Sequence, residues 1–120
     1  MRSLQVLIID DEPAIRQILS NTASKAGHSV LMAANGLEAL SILSKGDIDV
    51  ALCDIRMPDF SGIEVVEKAR KQGIETIFLM MTAFASVNTA IDAMRAGAYD
   101  YMLKPLRNED VINRLEHLAD

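Results

Sequence analysis

Short apolar runs alternate with stretches of helical period along the whole chain, and that alternation restricts the folds open to it. The runs are Val6-Leu7-Ile8-Ile9, Val30-Leu31-Met32-Ala33, Val50-Ala51-Leu52-Cys53, Thr76-Ile77-Phe78-Leu79-Met80 and Tyr99-Asp100-Tyr101-Met102. The middle three are nearly continuous apolar stretches, the pattern of strands covered on both faces in a parallel sheet. Between the runs, Ile15, Ile18, Leu19, Thr22, Ala23 and Ala26 make one apolar helical stripe, and Val111, Ile112, Leu115, Leu118 and Ala119 make another. Gly27, Gly46, Gly73 and Gly97 each follow a helical segment, where a left-handed C-terminal cap favours glycine, and Pro13 suits a first helical turn. The pattern predicts five β/α units. With right-handed crossovers these build an α/β domain, a parallel five-stranded sheet with helices on both faces. Strand order cannot be read from periodicity alone.

Composition narrows the class further. The chain of 120 residues has room for one domain, 1–120, large enough to build a core without disulfides or metals as staples. It is 50% hydrophobic and 24% charged, which excludes intrinsic disorder. Its longest apolar run, Ile77–Met81, is far short of the roughly 18–20 residues of a membrane span. The terminus Met1-Arg2-Ser3-Leu4 reaches an acidic stretch by Asp10 and is not expected to be a signal peptide. One cysteine, Cys53, excludes an internal disulfide or a cysteine-built zinc site and fits a reducing cytoplasm. Twelve basic against seventeen acidic residues, net −5, argue against direct nucleic-acid binding.

The chemistry is concentrated where the runs end. The first ends in Asp10-Asp11-Glu12, the third in Asp54, the fourth in Thr82 and the fifth in Lys104-Pro105. In an open α/β sheet, ligands bind outside the carboxyl ends of the strands, where strand order reverses. Three carboxylates, a hydroxyl and an ammonium therefore converge on one edge. Asp10, Asp11 and Asp54 held close together would repel unless a cation joined them. Mg²⁺ suits a site of one or two carboxylates, waters and a phosphate. Lys104 could hold a phosphoryl oxygen, Thr82 could donate to another, and an aspartate can act as a nucleophile toward phosphorus.

Each residue also has a plain reading. A lone Asp at a strand end is usually a turn former or cap, a Thr after an apolar strand usually caps the next helix, and a Lys before Pro is usually surface. Cys53 reads as a small buried hydrophobe, His28 as a loop residue, His117 as solvated near a helix end, and the seven methionines as core filler. The plain readings fail only jointly: five suitable groups on four strand ends are a poor coincidence.

The Asp10-Asp11 pair, Asp54 followed by Met57-Pro58 and Gly62, Thr82-Ala83 and Lys104-Pro105 together resemble the receiver domain of bacterial two-component response regulators. The resemblance covers essentially the whole chain. It implies the doubly wound, flavodoxin-like sheet of order 2-1-3-4-5, with Asp54 as phosphoacceptor and Mg²⁺ as cofactor. Asp11, Asp54 and the backbone carbonyl of Arg56 would be direct metal ligands, with Asp10 acting through water. Thr82, the backbone of Ala83 and Lys104 would contact the phosphoryl group. Tyr101 matches the aromatic switch position, and Lys104-Pro105 a cis peptide. Arg56 and Phe84 match positions that tune dephosphorylation. The stretch from Thr82 through Lys104 is most similar to receivers attached to AAA+ enhancer-binding transcription activators, whereas Leu106 departs from the phenylalanine that often follows the proline.

The resemblance further implies a cytoplasmic phosphoacceptor switch rather than an enzyme with turnover, a sensor histidine kinase as donor and no contact with membrane or nucleic acid. A C-terminal effector domain beyond Asp120 and a phosphorylation-dependent homodimer are also expected. Two rivals fit less well. A phosphohydrolase with an Asp nucleophile usually has a second Asp two residues on, where this chain has Arg56. A flavin module would present a phosphate with a Ser/Thr/Gly-rich loop, not Asp10-Asp11-Glu12.

Overall fold

The computed structural model describes residues 2–84 and 86–120. Among them strands and helices alternate: β1 Gln5–Ile9, α1 Pro13–Lys25, β2 Ser29–Ala33, α2 Gly36–Ser44, β3 Val50–Asp54, α3 Gly62–Lys71, β4 Ile77–Thr82, α4 Val87–Ala96, β5 Asp100–Leu103 and α5 Asn108–Ala119. The strands form one parallel sheet in the order β2-β1-β3-β4-β5, as the resemblance implied. No helix among the described residues is long and apolar enough to cross a membrane.

Strand alternation divides the core into two layers. Leu7, Ile9, Ala51, Cys53, Phe78 and Met80 face α2, α3 and α4. Val6, Ile8, Val50, Leu52, Leu79 and Met81 face α1 and α5, where Leu19, Ala23, Val111 and Leu115 close over them. Cys53 is fully buried, as read from the sequence, and burial pushes its thiol pKa far up, so it stays an unreactive hydrophobe. Gly27, Gly46, Gly73 and Gly97 all have positive φ, and Gly97 is the left-handed C-cap of α4. The Lys104–Pro105 peptide bond is cis.

Two expectations need correction. β2 is not covered on both faces: it is an edge strand, and Leu31 and Met32 are 47% and 44% exposed. The strands covered on both faces are β1, β3 and β4. Ile18 sits at the margin of the α1 stripe and is 55% exposed, because the stripe centres on Leu19, Thr22 and Ala23. His28 lies in the loop before β2, as read from the sequence; it is buried there, and its Nδ1 accepts the Leu4 backbone N–H at 3.0 Å.

One contact ties the fold to the loop after β3. A Cβ added at Gly62, the first residue of α3, would lie 2.2 Å from the Asp54 backbone carbonyl. The Gly62 N–H donates to the Ile55 carbonyl at 2.7 Å, so the loop closes on itself here and only glycine fits. Gly62→Ala should force backbone displacement and cost about 3 kcal/mol. Urea unfolding checks this, and a loss well under 1 kcal/mol would show that the loop gives way freely.

Candidate functional site

Four strand ends and the loops after them enclose a recess of about 180 Å³ lined by Asp11, Glu12, Asp54, Arg56, Thr82, Ala83, Phe84 and Lys104. Every site residue read from the sequence lines it except Asp10 and Tyr101. Asp10 is completely buried behind it. A larger recess of about 540 Å³ lies at the opposite end of the sheet, among the strand starts, but its Asp49 carboxylate is already committed to the Gln5 N–H.

Asp10, at the end of β1, is held from several sides. Its carboxylate accepts the Glu12 N–H at 3.0 Å and the Lys104 ammonium at 2.7 Å, while Arg16 donates to its backbone carbonyl at 2.7 Å. Lys104 reaches across from the end of β5 and also stands 3.3 Å from Asp54. Carboxylate oxygens of Asp10, Asp11 and Asp54 all lie within 4.8 Å of one another, with Asp11 exposed and the other two buried. Three carboxylates against one ammonium leave a formal charge of −2, with two of the carboxylates buried.

The titration directions reflect that surplus. Burial first, and then the Asp10 charge, push the Asp54 carboxyl above its ordinary value, and Lys104 offsets only part of this. Burial alone would lower the Lys104 ammonium, but its hydrogen bond to Asp10 and the charges of both aspartates carry it upward. The single ammonium is shared between two aspartates, and its charge does not outweigh the burial of Asp54 and the Asp10 charge beside it. An oxygen-preferring divalent ion fits this donor set.

The remaining residues flank the recess. The Thr82 hydroxyl accepts the Phe84 N–H at 3.1 Å, while Ser86 supplies the cap of α4, so Thr82 is not that helix's cap. The Arg56 guanidinium lies over the Phe84 ring, 4.2 Å from its centroid. Thr82 follows Met80 on the face toward α2–α4, and Met80 pairs with Tyr101 on β5. Tyr101 is half-buried against that same layer, and its hydroxyl is enclosed without a hydrogen-bond partner among the described residues. Sequence reading missed Glu12 and Arg16 as supports of Asp10. A backbone donor and a guanidinium reaching back six residues leave no pattern in a sequence.

The sequence and the fold are similar to those of known proteins. Residues 6–116 match the response regulator receiver domain family. The chain belongs to that family. The receiver, a signalling switch domain, is 41% identical over 101 residues to the regulatory protein AtoC of Escherichia coli (strain K12), covering 84% of this chain and 22% of AtoC. It is 38% identical over 106 residues to the response regulator protein PilR of Pseudomonas aeruginosa, covering 88% of this chain and 24% of PilR. These relatives bear out the resemblance to receivers of AAA+ enhancer-binding activators. The receiver spans less than a quarter of their length. Among solved structures, the chemotaxis protein CheY4 of Vibrio cholerae superimposes with a TM-score of 0.91 at 34% identity, over 97% of this chain and 98% of that one. The beryllofluoride-activated NtrC4 receiver domain, solved as a dimer, gives a TM-score of 0.88 at 27% identity, over 96% and 95%.

The charge surplus has a measurable consequence. Because Asp54 keeps its proton to higher pH in the fold than in the unfolded chain, its ionisation weakens the fold as pH rises through its folded pKa. Without divalent cations at pH 7, Asp54→Asn should raise the melting midpoint by a few degrees, a gain that shrinks in acid. Lys104→Ala should instead cost about 3 kcal/mol by leaving buried carboxylates unpaired. A lower midpoint for Asp54→Asn in calorimetry at pH 7 would contradict the surplus.

Proposed function

We propose that this receiver takes a phosphoryl group from a phosphohistidine of a sensor histidine kinase onto Asp54. The observation that carries the reading is a buried carboxylate, short of positive charge, between an acidic pair and a lysine. An Asp54 oxygen attacks phosphorus, the new P–O bond forms as the P–N bond breaks, and the imidazole leaves with the electron pair. Asp11, Asp54 and the Arg56 carbonyl would hold Mg²⁺, with Asp10 acting through water. When bound, Mg²⁺ neutralises the carboxylates and the charge on the transferring oxygens. Lys104 holds one phosphoryl oxygen, and the Ala83 backbone N–H and the Thr82 hydroxyl donate to others. Beside the recess, an apolar hollow lined by Ile15, Ile18, Ala83, Pro105 and Leu106 gives a partner protein a surface to approach from.

The switch follows from shared packing. Thr82 leaves the Phe84 N–H to meet the phosphoryl group, and the space it vacates lies on the face occupied by Tyr101. Differential contacts with the phosphoryl oxygens supply the bias. The surface of α4, β5 and α5 changes with it. That change controls an output, transcription, through an effector domain, and the switched receiver pairs with a second copy, as NtrC4 does when activated. The protein works in the cytoplasm.

Incubation with acetyl phosphate and Mg²⁺ should add one phosphate to the intact mass. Asp54→Asn should abolish the gain, and Asp11→Asn should slow it. Labelling of Asp54→Asn, or equal rates with chelator present, would overturn the assignment.

The stacked Arg56 and Phe84 bear on how long the signal lasts. They line the recess, and neither can orient an attacking water as a carboxylate or amide would. The phospho-form should decay slowly, and Arg56→Asn with Phe84→Glu should speed its loss roughly tenfold, about 1.4 kcal/mol of barrier. The fraction of phosphoprotein remaining after donor removal checks this, and unchanged decay in the double variant would contradict it.

A further inference from the structure

The loop between β3 and α3 carries the Arg56 carbonyl, and its far half is tied to a different element. The Asp59 carboxylate accepts the Gly36 N–H through Oδ1 at 2.9 Å and the Leu37 N–H through Oδ2 at 2.9 Å. It also accepts the Phe60 N–H of its own loop at 2.7 Å. Burial alone would raise the Asp59 carboxyl, but the backbone N–H groups of Gly36, Phe60, Leu37 and Asp59 itself together hold it below the ordinary value. Phe60 packs beside it: a Cβ on Gly36 would meet the ring at 2.7 Å, and the Lys68 ammonium lies over the same ring, 4.9 Å from the centroid.

Helix α2 does not need Asp59 for a local cap. Asn35 already accepts the Glu38 N–H at 2.9 Å, and the Glu38 carboxylate accepts the Ala34 N–H at 2.8 Å. What the Asp59 bonds add is a link between the loop and a helix anchored in the core by Ala39 and Leu43. At the near end, the Ile55 N–H donates to the Met81 carbonyl at 2.9 Å. Arg56, Met57 and Pro58 therefore hang between two fixed points, with proline limiting the backbone further. Met57 and Phe60 also pack on the core, but apolar contacts do not set the direction of a carbonyl, whereas two directed hydrogen bonds from a rigid helix do.

We propose that Asp59 is a positioning residue for the metal site: by clamping the loop to the N-terminus of α2, it aims the Arg56 carbonyl toward the acidic cluster. This rests on the Mg²⁺ reading above. The coupling runs both ways, since an ion that favours one loop geometry must also favour the bonds that hold it, and α2 offers the ion no ligand of its own in that reading.

The test is a Mg²⁺ titration of the 120-residue chain followed by amide NMR shifts around Asp54, for the native protein, Asp59→Ala and Asp59→Asn. Amide hydrogen exchange at Gly36 and Leu37 is measured with and without the ion. Asp59→Ala should weaken Mg²⁺ binding about tenfold, the scale seen when a group supporting a metal ligand is lost. Asp59→Asn, which keeps one acceptor oxygen, should fall between, and it supplies the measurement if the alanine variant folds poorly. Mg²⁺ should slow exchange at Gly36 and Leu37 in the native chain and not in Asp59→Ala. Equal affinities for native and Asp59→Ala chains, or exchange at those amides indifferent to Mg²⁺ in the native chain, would overturn the clamp alone. A native chain that binds no Mg²⁺ would overturn the metal reading and the clamp with it.

Discussion

The Lys104 ammonium stands 2.7 Å from Asp10 and 3.3 Å from Asp54, and the geometry of the site depends on that bridge. Burying two carboxylates side by side is costly unless positive charge accompanies them. The sheet order supplies the means. It sets β1 beside β3, so the two aspartates emerge as neighbours, and it leaves β5 one strand beyond β4, within reach of a long lysine. A shorter side chain at 104 could not span that distance and still pair.

The bridge is incomplete by design of the charges. One ammonium meets three carboxylates, and of the two buried ones Asp54 is the less closely paired. A site that has its protein groups in place and still lacks positive charge is poised for a cation and for chemistry at that oxygen. The surrounding loops hold the pieces without closing the recess: Gly62 lets α3 start against the Asp54 carbonyl, and Arg56 stacks on Phe84 at the mouth. Thr82 and Tyr101 share a face of the sheet, so an event at the recess has a packed route toward β5 and α4.

Much of this was legible in the sequence because strand ends and capping glycines are local signals. Asp10, Asp11, Asp54, Thr82 and Lys104 stand out since they cluster at the ends of the strand-like runs. The errors came from tertiary context. An apolar edge strand such as β2 has the same pattern as a covered one, so the exposure of Leu31 and Met32 had no local sign. Ile18 fits the helical period yet lies at its margin. Strand order itself required the resemblance to a known family. Glu12, Arg16 and Asp59 act through backbone atoms of distant or adjacent residues, and hydrogen bonds of that kind depend on loop geometry that no periodicity encodes.

The most direct test of the charge imbalance is the pH titration of the Asp54 carboxyl carbon by NMR, with and without Mg²⁺. Without the ion, Asp54 should hold its proton to higher pH than an ordinary aspartate, and saturating Mg²⁺ should bring the titration down below it. An Asp54 that titrates as an ordinary aspartate without metal, and does not move when Mg²⁺ is added, would contradict the account.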